Sequence, residues 1–302
     1  MDSLIDAYRT CELLTVSRDG TPIAWPTIGI RRPDGTFLIS TSIGLPQKAF
    51  NVRRDGRVAV LFSDPTASGL DAPEQVLMQG TATCPDELVT TPGPWADLWL
   101  RIRRLQPSST YHRVPGLRRF MDWYYMRLLI TVTPARTALL PPYRPSRAPE
   151  PIGDTAFPAV QRMSGFGGAV LSAYDADGLP TMRRVHPAAV DGMFVFEAGE
   201  ETAPGRASLL WHSHDDKVDS LKAFVVAGDL TRSGSTWKLT PSRYVSTADR
   251  MGPVTMVRTI RGLRRTAARY LTRRDLTRPA IAWDAFIRTE RAAAERGDRV
   301  PR

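Results

Sequence analysis

Short apolar runs separated by turn-forming residues fill the first part of the sequence. Two of the turns contain Asp-Gly, at Asp19-Gly20 and Asp34-Gly35. Asp-Gly between apolar runs is a strong signal for a β-hairpin, because glycine tolerates a positive φ. The pattern therefore predicts antiparallel strands, over Leu13–Ser17, Ile23–Ile30, Phe37–Thr41, Val58–Phe62, Glu74–Thr83 and Leu128–Thr133.

Helices are predicted where apolar residues recur every three or four positions. A short helix over Gln47–Arg54 follows Pro46, and a helical region is inserted at 95–126. Near the end, apolar positions over 257–271 are separated by arginines and predict an amphipathic basic helix. A second helix around Trp283–Arg296 follows it, so that the final helical region spans about 255–296.

The strand pattern occurs twice along the chain. DGTP at 19–22 returns as DGLP at 177–180, and DGTF at 34–37 returns as DGMF at 191–194. The run RVAVLF at 57–62 corresponds to RASLLW at 206–211, and Gly80 in VLMQG corresponds to Gly228 in FVVAG. Matches that keep their order predict a tandem duplication. The offset falls from 157 to 149, so the second copy lacks eight residues where the first has the helix after Pro46.

These patterns predict a mainly β (α+β) chain with two antiparallel β-barrels in tandem. The first barrel with its inserted helices is assigned to 1–140, and the second, shorter barrel to 161–250. Between them, 141–160 is predicted to be a linker, because the stretch 141–158 contains six prolines. Residues 251–302 form an arginine-rich helical tail.

The composition is that of a globular protein, with 42% apolar and 24% charged residues in 302. The net charge is +10, but 251–302 alone hold 13 arginines and five acidic residues, a net of +8. Nucleic-acid binding by the whole chain is therefore not expected, and the tail covers the barrels or touches an anionic surface. No apolar run has the length of a membrane span, and the first residues include Asp2 and Asp6 rather than a basic stretch. We expect a cytoplasmic protein.

Candidates for catalysis are few, and the sequence identifies no catalytic residue. His212 and His214 stand in HSHDD at the end of a strand, where a spacing of two places both on one face. A metal needs three or four ligands, and no third ligand occurs nearby, so no metal site is predicted.

One segment combines groups that suit an anion. Ser40, Thr41 and Ser42 end a strand, a Gly-Pro corner follows, and Lys48 lies in the first turn of the next helix. Hydroxyls, backbone N–H groups and an ammonium in a small volume are how proteins hold a phosphate. Hydroxyls at strand ends are also common caps. The residues alone leave an oxyanion site and a structural cap as alternatives.

The segment 41–58, with the strand order before it and EQVLMQG after it, resembles the flavin-binding split-barrel proteins. This family includes the pyridoxamine 5'-phosphate oxidases and the F420- or FMN-dependent oxidoreductases. KAFNVRRDGRV at 48–58 stands where the family has a lysine followed by a string close to NLRRDPRV. The resemblance covers 8–140 well and 165–245 more loosely. It implies two tandem FMN-binding-type split β-barrels with inserted and C-terminal helices, which form a pseudo-dimer in one chain and leave a homodimer open.

The resemblance also implies one cofactor pocket per chain, between the barrels. The cofactor would lie along the second strand, and its phosphate would meet Thr41, Ser42 and Lys48. The cofactor-binding residues implied in this way are Trp25, Pro26, Thr27, Ile28, Arg31, Thr41, Ser42, Gln47, Lys48 and Gln75. From the second barrel, Trp211, His212 and His214 would contribute across the interface.

Two departures from the family pattern bear on the cofactor. Gln47 stands where a basic residue often precedes the lysine, and Pro26 stands where the oxidases have arginine. The missing cations argue against tight FMN binding and against oxidation of vitamin B6. F420 is slightly favoured over FMN, because its acidic tail suits a cleft with spare cations such as Arg53, Arg54 and Arg57.

Three functions remain open at this point. The first is an oxidoreductase that uses F420 or FMN for hydride transfer to or from a small organic substrate. The second is a non-catalytic barrel that binds flavin, F420 or haem, with His186, His212 or His214 as an axial ligand. The third is an interaction protein in which the barrels are a scaffold and the arginine-rich tail makes the interaction. The colour of the purified protein distinguishes them, because flavin, F420 and haem have different spectra.

Overall fold

Two antiparallel seven-stranded sheets follow one another in the computed structural model, which describes residues 1–107, 109–218, 221–246 and 253–297. The strands of the first sheet are β1 (Cys11–Val16), β2 (Pro22–Thr27), β3 (Gly29–Arg31), β4 (Phe37–Ser42), β5 (Arg57–Phe62), β6 (Gln75–Thr83) and β7 (Arg127–Leu140). The helices of this half are α1 (Asp2–Ala7), α2 (Gln47–Arg54), α3 (Ala96–Leu105) and α4 (Pro115–Tyr125).

The first sheet closes into a barrel through one bent segment. Its strand order is β2-β1-β5-β6-β7-β4-β3, so β2 and β3 lie at opposite edges although only Ile28 separates them in sequence. β2 pairs with β1 (Trp25 opposite Leu13), and β3 pairs with β4 (Gly29 opposite Ile39). A continuous segment paired at both edges leaves the sheet without an open edge.

The second sheet repeats this arrangement. Its strands are β8 (Ala169–Asp175), β9 (Pro180–Val185), β10 (Ala188–Val190), β11 (Met193–Glu197), β12 (Thr202–Ser213), β13 (Lys222–Ser233) and β14 (Thr236–Ser246). The order β9-β8-β12-β13-β14-β11-β10 matches the first sheet strand for strand. The predicted fold class, two β-barrels in tandem with added helices, is confirmed. The remaining helices are α5 (Pro158–Met163), α6 (Pro253–Thr272) and α7 (Trp283–Glu295).

The repeated glycines occupy equivalent irregularities in the two barrels. Gly80 lies opposite Pro134 at a shift in the register of β6 and β7, and Gly228 lies opposite Pro241 at the same shift between β13 and β14. A Cβ at Gly80 would lie 2.1 Å from the carbonyl oxygen of Thr133, and one at Gly228 would lie 2.0 Å from that of Thr240. The backbones approach too closely for any side chain, which explains why both copies have glycine here.

Gly80→Ala and Gly228→Ala are each expected to lower the free energy of unfolding by about 1 to 3 kcal/mol, because the clash is with backbone that cannot move aside. Chemical denaturation followed by circular dichroism measures the change. Gly116→Ala is the matched control, since Gly116 lies in α4 and a Cβ there would meet nothing within 4 Å. Equal effects at all three positions would contradict this explanation.

Each barrel has its own core, and a third apolar cluster joins them. It contains Leu14, Ala24, Leu61 and Leu77 from the first barrel, packed against residues such as Leu210 of the second. Polar contacts cross the same interface: Ser208 Oγ donates to the carbonyl of Pro22 at 2.7 Å, and Tyr174 donates to that of Gly20 at 2.7 Å. The barrels therefore form one packed unit.

The two C-terminal helices cover the first barrel. α6 and α7 pack on it through residues that include Ala267, Tyr270 and Phe286. Glu290 of α7 is buried and accepts a hydrogen bond from Arg103 of α3 at 3.0 Å. None of the helices in the described part of the chain is both long and apolar enough to span a bilayer.

Candidate functional site

A cleft opens between the two barrels beside β2 and α2. Its larger cavity, of about 650 Å³, is lined from the first barrel by β1, β2 and α2 and from the second by β13 and β14. Trp25, Gln47 and Lys48 contribute on one side, and Val225 and Arg243 contribute on the other. Both repeats are needed to form it.

A second cavity, of about 230 Å³, lies beside the end of β2 and the end of β4. Trp123, Tyr124 and Arg127, from the end of α4 and the start of β7, form another part of its lining. Lys48 lines both cavities, and together they are called the Lys48 cleft below. The sequence-predicted residues that line the Lys48 cleft are Trp25, Pro26, Thr27, Ile28, Thr41, Ser42, Gln47 and Lys48.

Lys48 owes its position to the strand-to-helix corner before α2. Pro46 caps α2 and places Gln47 and Lys48 in the first turn, where backbone N–H groups have no partner within the helix. The residue is half-buried, and no described residue accepts a hydrogen bond from its ammonium or forms an ion pair with it. Loss of hydration, together with the charge of Arg127, lowers the pKa of Lys48 to about 8.

Arg127 is the second cation that lines the smaller cavity of the Lys48 cleft. Its side chain is buried at 6% exposure, and its Nε and Nη2 atoms have no hydrogen-bond partner. The guanidinium lies over the ring of Tyr124, with its central carbon 4.1 Å from the centroid. Burial of an arginine without a carboxylate is costly. No acidic side chain is among the described residues that line this cavity.

Hydroxyl groups complete this corner of the Lys48 cleft. Thr41 Oγ1 donates to the carbonyl of Leu45 at 2.8 Å, and Ser42 Oγ accepts from the N–H of Gly44 at 3.1 Å, so both shape the turn before α2. Ser40 Oγ is buried and has no partner. A hydroxyl both donates and accepts, so Ser42 keeps its donor and Thr41 keeps acceptor capacity. The sequence left two roles open for these hydroxyls, a structural cap and an oxyanion site. The two roles are compatible here.

Five residues implied by the resemblance do not line the Lys48 cleft, and two of them, His212 and His214, are described below. Arg31 forms ion pairs with Asp2 (2.7 Å) and Asp6 (3.0 Å) of α1. Gln75 donates to the carbonyl of Pro141 at 2.6 Å and lines a different cavity. Trp211 is buried in the core of the second barrel.

The spare cations suggested by the sequence are also engaged elsewhere. Arg53 pairs with Asp86 at 2.7 Å, Arg54 donates to the carbonyl of Val16 at 2.6 Å, and Arg57 pairs with Asp55 at 2.7 Å. The arginines that do line the larger cavity are Arg18 and Arg243, both exposed.

His212 and His214 lie at the contact between the barrels. Nε2 of the buried His212 is 2.7 Å from Oε1 of the buried Glu12, and Arg184 Nη2 is 3.2 Å from the same oxygen. His214 Nε2 is 3.1 Å from Thr10 Oγ1, and Thr10 lines the smaller cavity. His214 therefore approaches the Lys48 cleft through Thr10 but does not line it.

The opposite side of the interface has a second, altered cleft. The linker residue Tyr143 lies there, with the Arg184 guanidinium 4.6 Å from its ring centroid and the His186 ring stacked on it at 5.5 Å. Its hydroxyl donates to the carbonyl of Gly167 at 2.6 Å. The connection 198–201, which replaces α2 in this repeat, contains no lysine. Cavities of about 350 and 270 Å³ remain on this side.

Sequence reasoning missed Arg127, Trp123 and Tyr124. The signal present in the sequence is the string WYYMR, an aromatic cluster ending in one arginine at the start of an apolar strand. Its meaning depends on the pairing of β7 with β4, which places Arg127 opposite Ser42. That pairing joins segments 85 positions apart and is not visible locally.

No protein-family model matches the sequence, and neither does any curated protein. Similar solved structures include a conserved hypothetical protein of Mycobacterium tuberculosis, with 25% identity over 46% of this chain and 81% of that one (TM-score 0.33). Another is a Listeria innocua protein proposed to be a pyridoxamine 5'-phosphate oxidase, with 19% identity over 46% of this chain and 93% of that one (TM-score 0.28). A third is HutZ, a haem storage protein of Vibrio cholerae, with 14% identity over 45% of this chain and 89% of that one (TM-score 0.31).

The second of these proteins is proposed to belong to the oxidases that the sequence resembles. Each of these three matches covers slightly less than half of the chain.

Proposed function

We propose that the Lys48 cleft binds a phosphate-bearing flavin-type cofactor, and that the chain is an oxidoreductase passing a hydride to or from a small organic substrate. The observation that carries this proposal is the pair of cations without an anion, Lys48 and Arg127. Both line the same cavity, and Ser40 beside them has an unpartnered hydroxyl. A phosphate supplies the charge and the acceptors that these three groups lack.

The shape of the cleft supports a planar, aromatic ligand. Trp25 lines the larger cavity, and Trp123 and Tyr124 line the smaller one. Both cavity volumes together are in the range of about 300 to 1,000 Å³ that is usual for cofactor sites. A flavin-type ring supplies the hydride chemistry when bound, and the residues of the chain bind, orient and shield it.

F420 remains slightly favoured over FMN. Its acidic tail would meet Arg18 and Arg243, the exposed cations at the larger cavity, rather than the three arginines suggested by the sequence. Haem is less well supported, because the described residues that line the Lys48 cleft include no histidine. We place this oxidoreductase in the cytoplasm. In the proposed arrangement, the second repeat takes the place that a dimer partner would have beside the cofactor.

Titration of the purified full-length protein tests the proposal. F420 and FMN are added separately while tryptophan fluorescence is followed, and a Trp25→Phe variant shows whether the quenching comes from the Lys48 cleft. Micromolar binding of F420 supports the proposal as stated. Binding of FMN with none of F420 reverses the order of the two cofactors, and binding of neither overturns the proposal.

Cofactor affinity is expected to fall as the pH rises above about 8. An anion stabilises the charged form of Lys48, so binding is strongest while the ammonium keeps its proton, and the free site loses that proton at about pH 8. Affinity measured from pH 7 to 10 gives the profile. Lys48→Arg is expected to remove the fall, because arginine stays charged throughout. If affinity fell in the same way with pH in the wild type and in Lys48→Arg, Lys48 would not be the group that binds the phosphate.

A further inference from the structure

The outer face of α6 carries a row of arginines that form no ion pair or hydrogen bond with another residue in the described part of the chain. Arg258, Arg261, Arg265 and Arg269 recur at intervals of three and four, so they share one side of the helix, and all are exposed. The opposite side packs on the first barrel through residues that include Leu263 and Ala267. Residues 253–274 contain seven arginines and no acidic residue, so α6 provides no internal counter-charge.

Exposed apolar side chains accompany these arginines. Leu117 and Phe120 of α4 are 43% and 56% exposed, and Met256 and Val257 of α6 are 44% and 48% exposed. Five of the twelve large apolar side chains exposed by the described residues lie on or beside these two helices, counting Val114 next to α4. Such a concentration marks an interaction surface rather than scattered surface residues.

α4 and α6 are held side by side. Arg264 Nη1 donates to the carbonyl of Arg119 at 2.8 Å, and its guanidinium lies 5.5 Å from the ring centroid of Phe120. Apolar and cationic side chains are thus presented by two adjacent helices. The exposed Arg119 of α4 adds to the charge.

We propose that this α4–α6 face docks on an anionic membrane surface. The arginines would contact lipid phosphates, while Leu117, Phe120 and the apolar end of α6 would enter the boundary between headgroups and acyl chains. A nucleic acid would satisfy the arginines but would leave the apolar side chains in water. The combination of charges and apolar groups therefore selects a lipid surface.

Co-sedimentation of the full-length protein with vesicles tests this proposal. We expect binding to phosphatidylcholine vesicles that contain about 30% phosphatidylglycerol, little binding to phosphatidylcholine alone, and release at about 0.5 M salt. The double variant Arg261→Glu/Arg265→Glu is expected to bind at least about tenfold more weakly. Leu117→Ser/Phe120→Ser should weaken binding even at low salt, because it removes the apolar contribution.

Two exposed arginines of the linker and second barrel provide the matched control. Arg147 and Arg206 have side chains that are 80% and 49% exposed, and Arg147→Glu/Arg206→Glu makes the same change in net charge. Vesicle binding by this variant should equal that of the wild type. Equal losses in both charge variants, or tighter binding to duplex DNA than to vesicles at the same salt, would overturn the proposal. Unchanged thermal unfolding verifies that each variant is folded.

Discussion

Lys48→Ala is expected to weaken binding of the phosphate-bearing cofactor about 10- to 150-fold. The variant removes a charge-assisted hydrogen bond to the phosphate, which contributes about 1.5 to 3 kcal/mol. It also leaves Arg127 as the remaining cation among the described residues that line the smaller cavity. Equilibrium titration at pH 7, where Lys48 is protonated in the wild type, gives the ratio of the two dissociation constants.

Lys238→Ala is the control for this experiment, because it removes the same charge from β14 at a position that lines neither cavity of the Lys48 cleft. Its affinity should remain that of the wild type. Unchanged affinity in Lys48→Ala would remove Lys48 from the site. An equal loss in both variants would assign the effect to long-range charge rather than to direct contact.

Glu290→Ala is expected to destabilise the fold by about 3 to 5 kcal/mol. The carboxylate is buried and receives hydrogen bonds from Arg103 Nε (3.0 Å) and Arg113 Nε (3.1 Å), and His112 Nε2 lies 3.1 Å from Oε1. Removing it leaves buried donors and positive charge without their acceptor. Urea unfolding of the two proteins measures the difference.

Glu201→Ala is the comparison for Glu290→Ala. Glu201 pairs with Arg183 at 2.8 Å but is 56% exposed, so its loss should cost about 1 kcal/mol or less. Similar losses in the two variants would contradict the role given to burial.

The contribution of Glu290 to the free energy of unfolding should also depend on pH in the acid range. Burial alone would raise its pKa, but hydrogen bonds from His112 and Arg113 outweigh burial and lower it below 4.5. A carboxylate with a lowered pKa stabilises the fold fully above its unfolded-state value, and this contribution is lost as the pH falls through the folded-state value. The stability difference between wild type and Glu290→Gln should therefore shrink below about pH 4.5. A constant difference would contradict this linkage.

Local signals were enough to predict most of the barrel architecture. The Asp-Gly turns at 19–20 and 34–35 have glycine φ values of +80° and +83°, which explains why the hairpin signal was reliable there. The helix predicted over Gln47–Arg54 has the same bounds in the structure. The repeated glycines correctly indicated the duplication, because Gly80 and Gly228 meet the same steric requirement.

Long-range contacts set the limits of the sequence-based prediction. β7 was expected over Leu128–Thr133 but extends to Leu140, because it continues along β6 past the irregularity at Pro134. Arg31 was expected among the cofactor-binding residues, but α1 places two carboxylates beside it. The pairing of Arg103 with Glu290 joins residues 187 positions apart. Contacts of this kind arise only when distant segments pack together.

Fusion of the two barrels changes how their interface can evolve. In a symmetrical dimer every substitution appears at both clefts. In this chain Tyr143 packs against Arg184 and His186 at one cleft only, and the cleft beside Lys48 is unaffected. The linker also fixes the local concentration of the second barrel, so the shared cavity does not depend on dilution. Side chains on one side of the interface can therefore be replaced by others that pack the two barrels together. The other side keeps Lys48, Arg127 and the open space between the barrels.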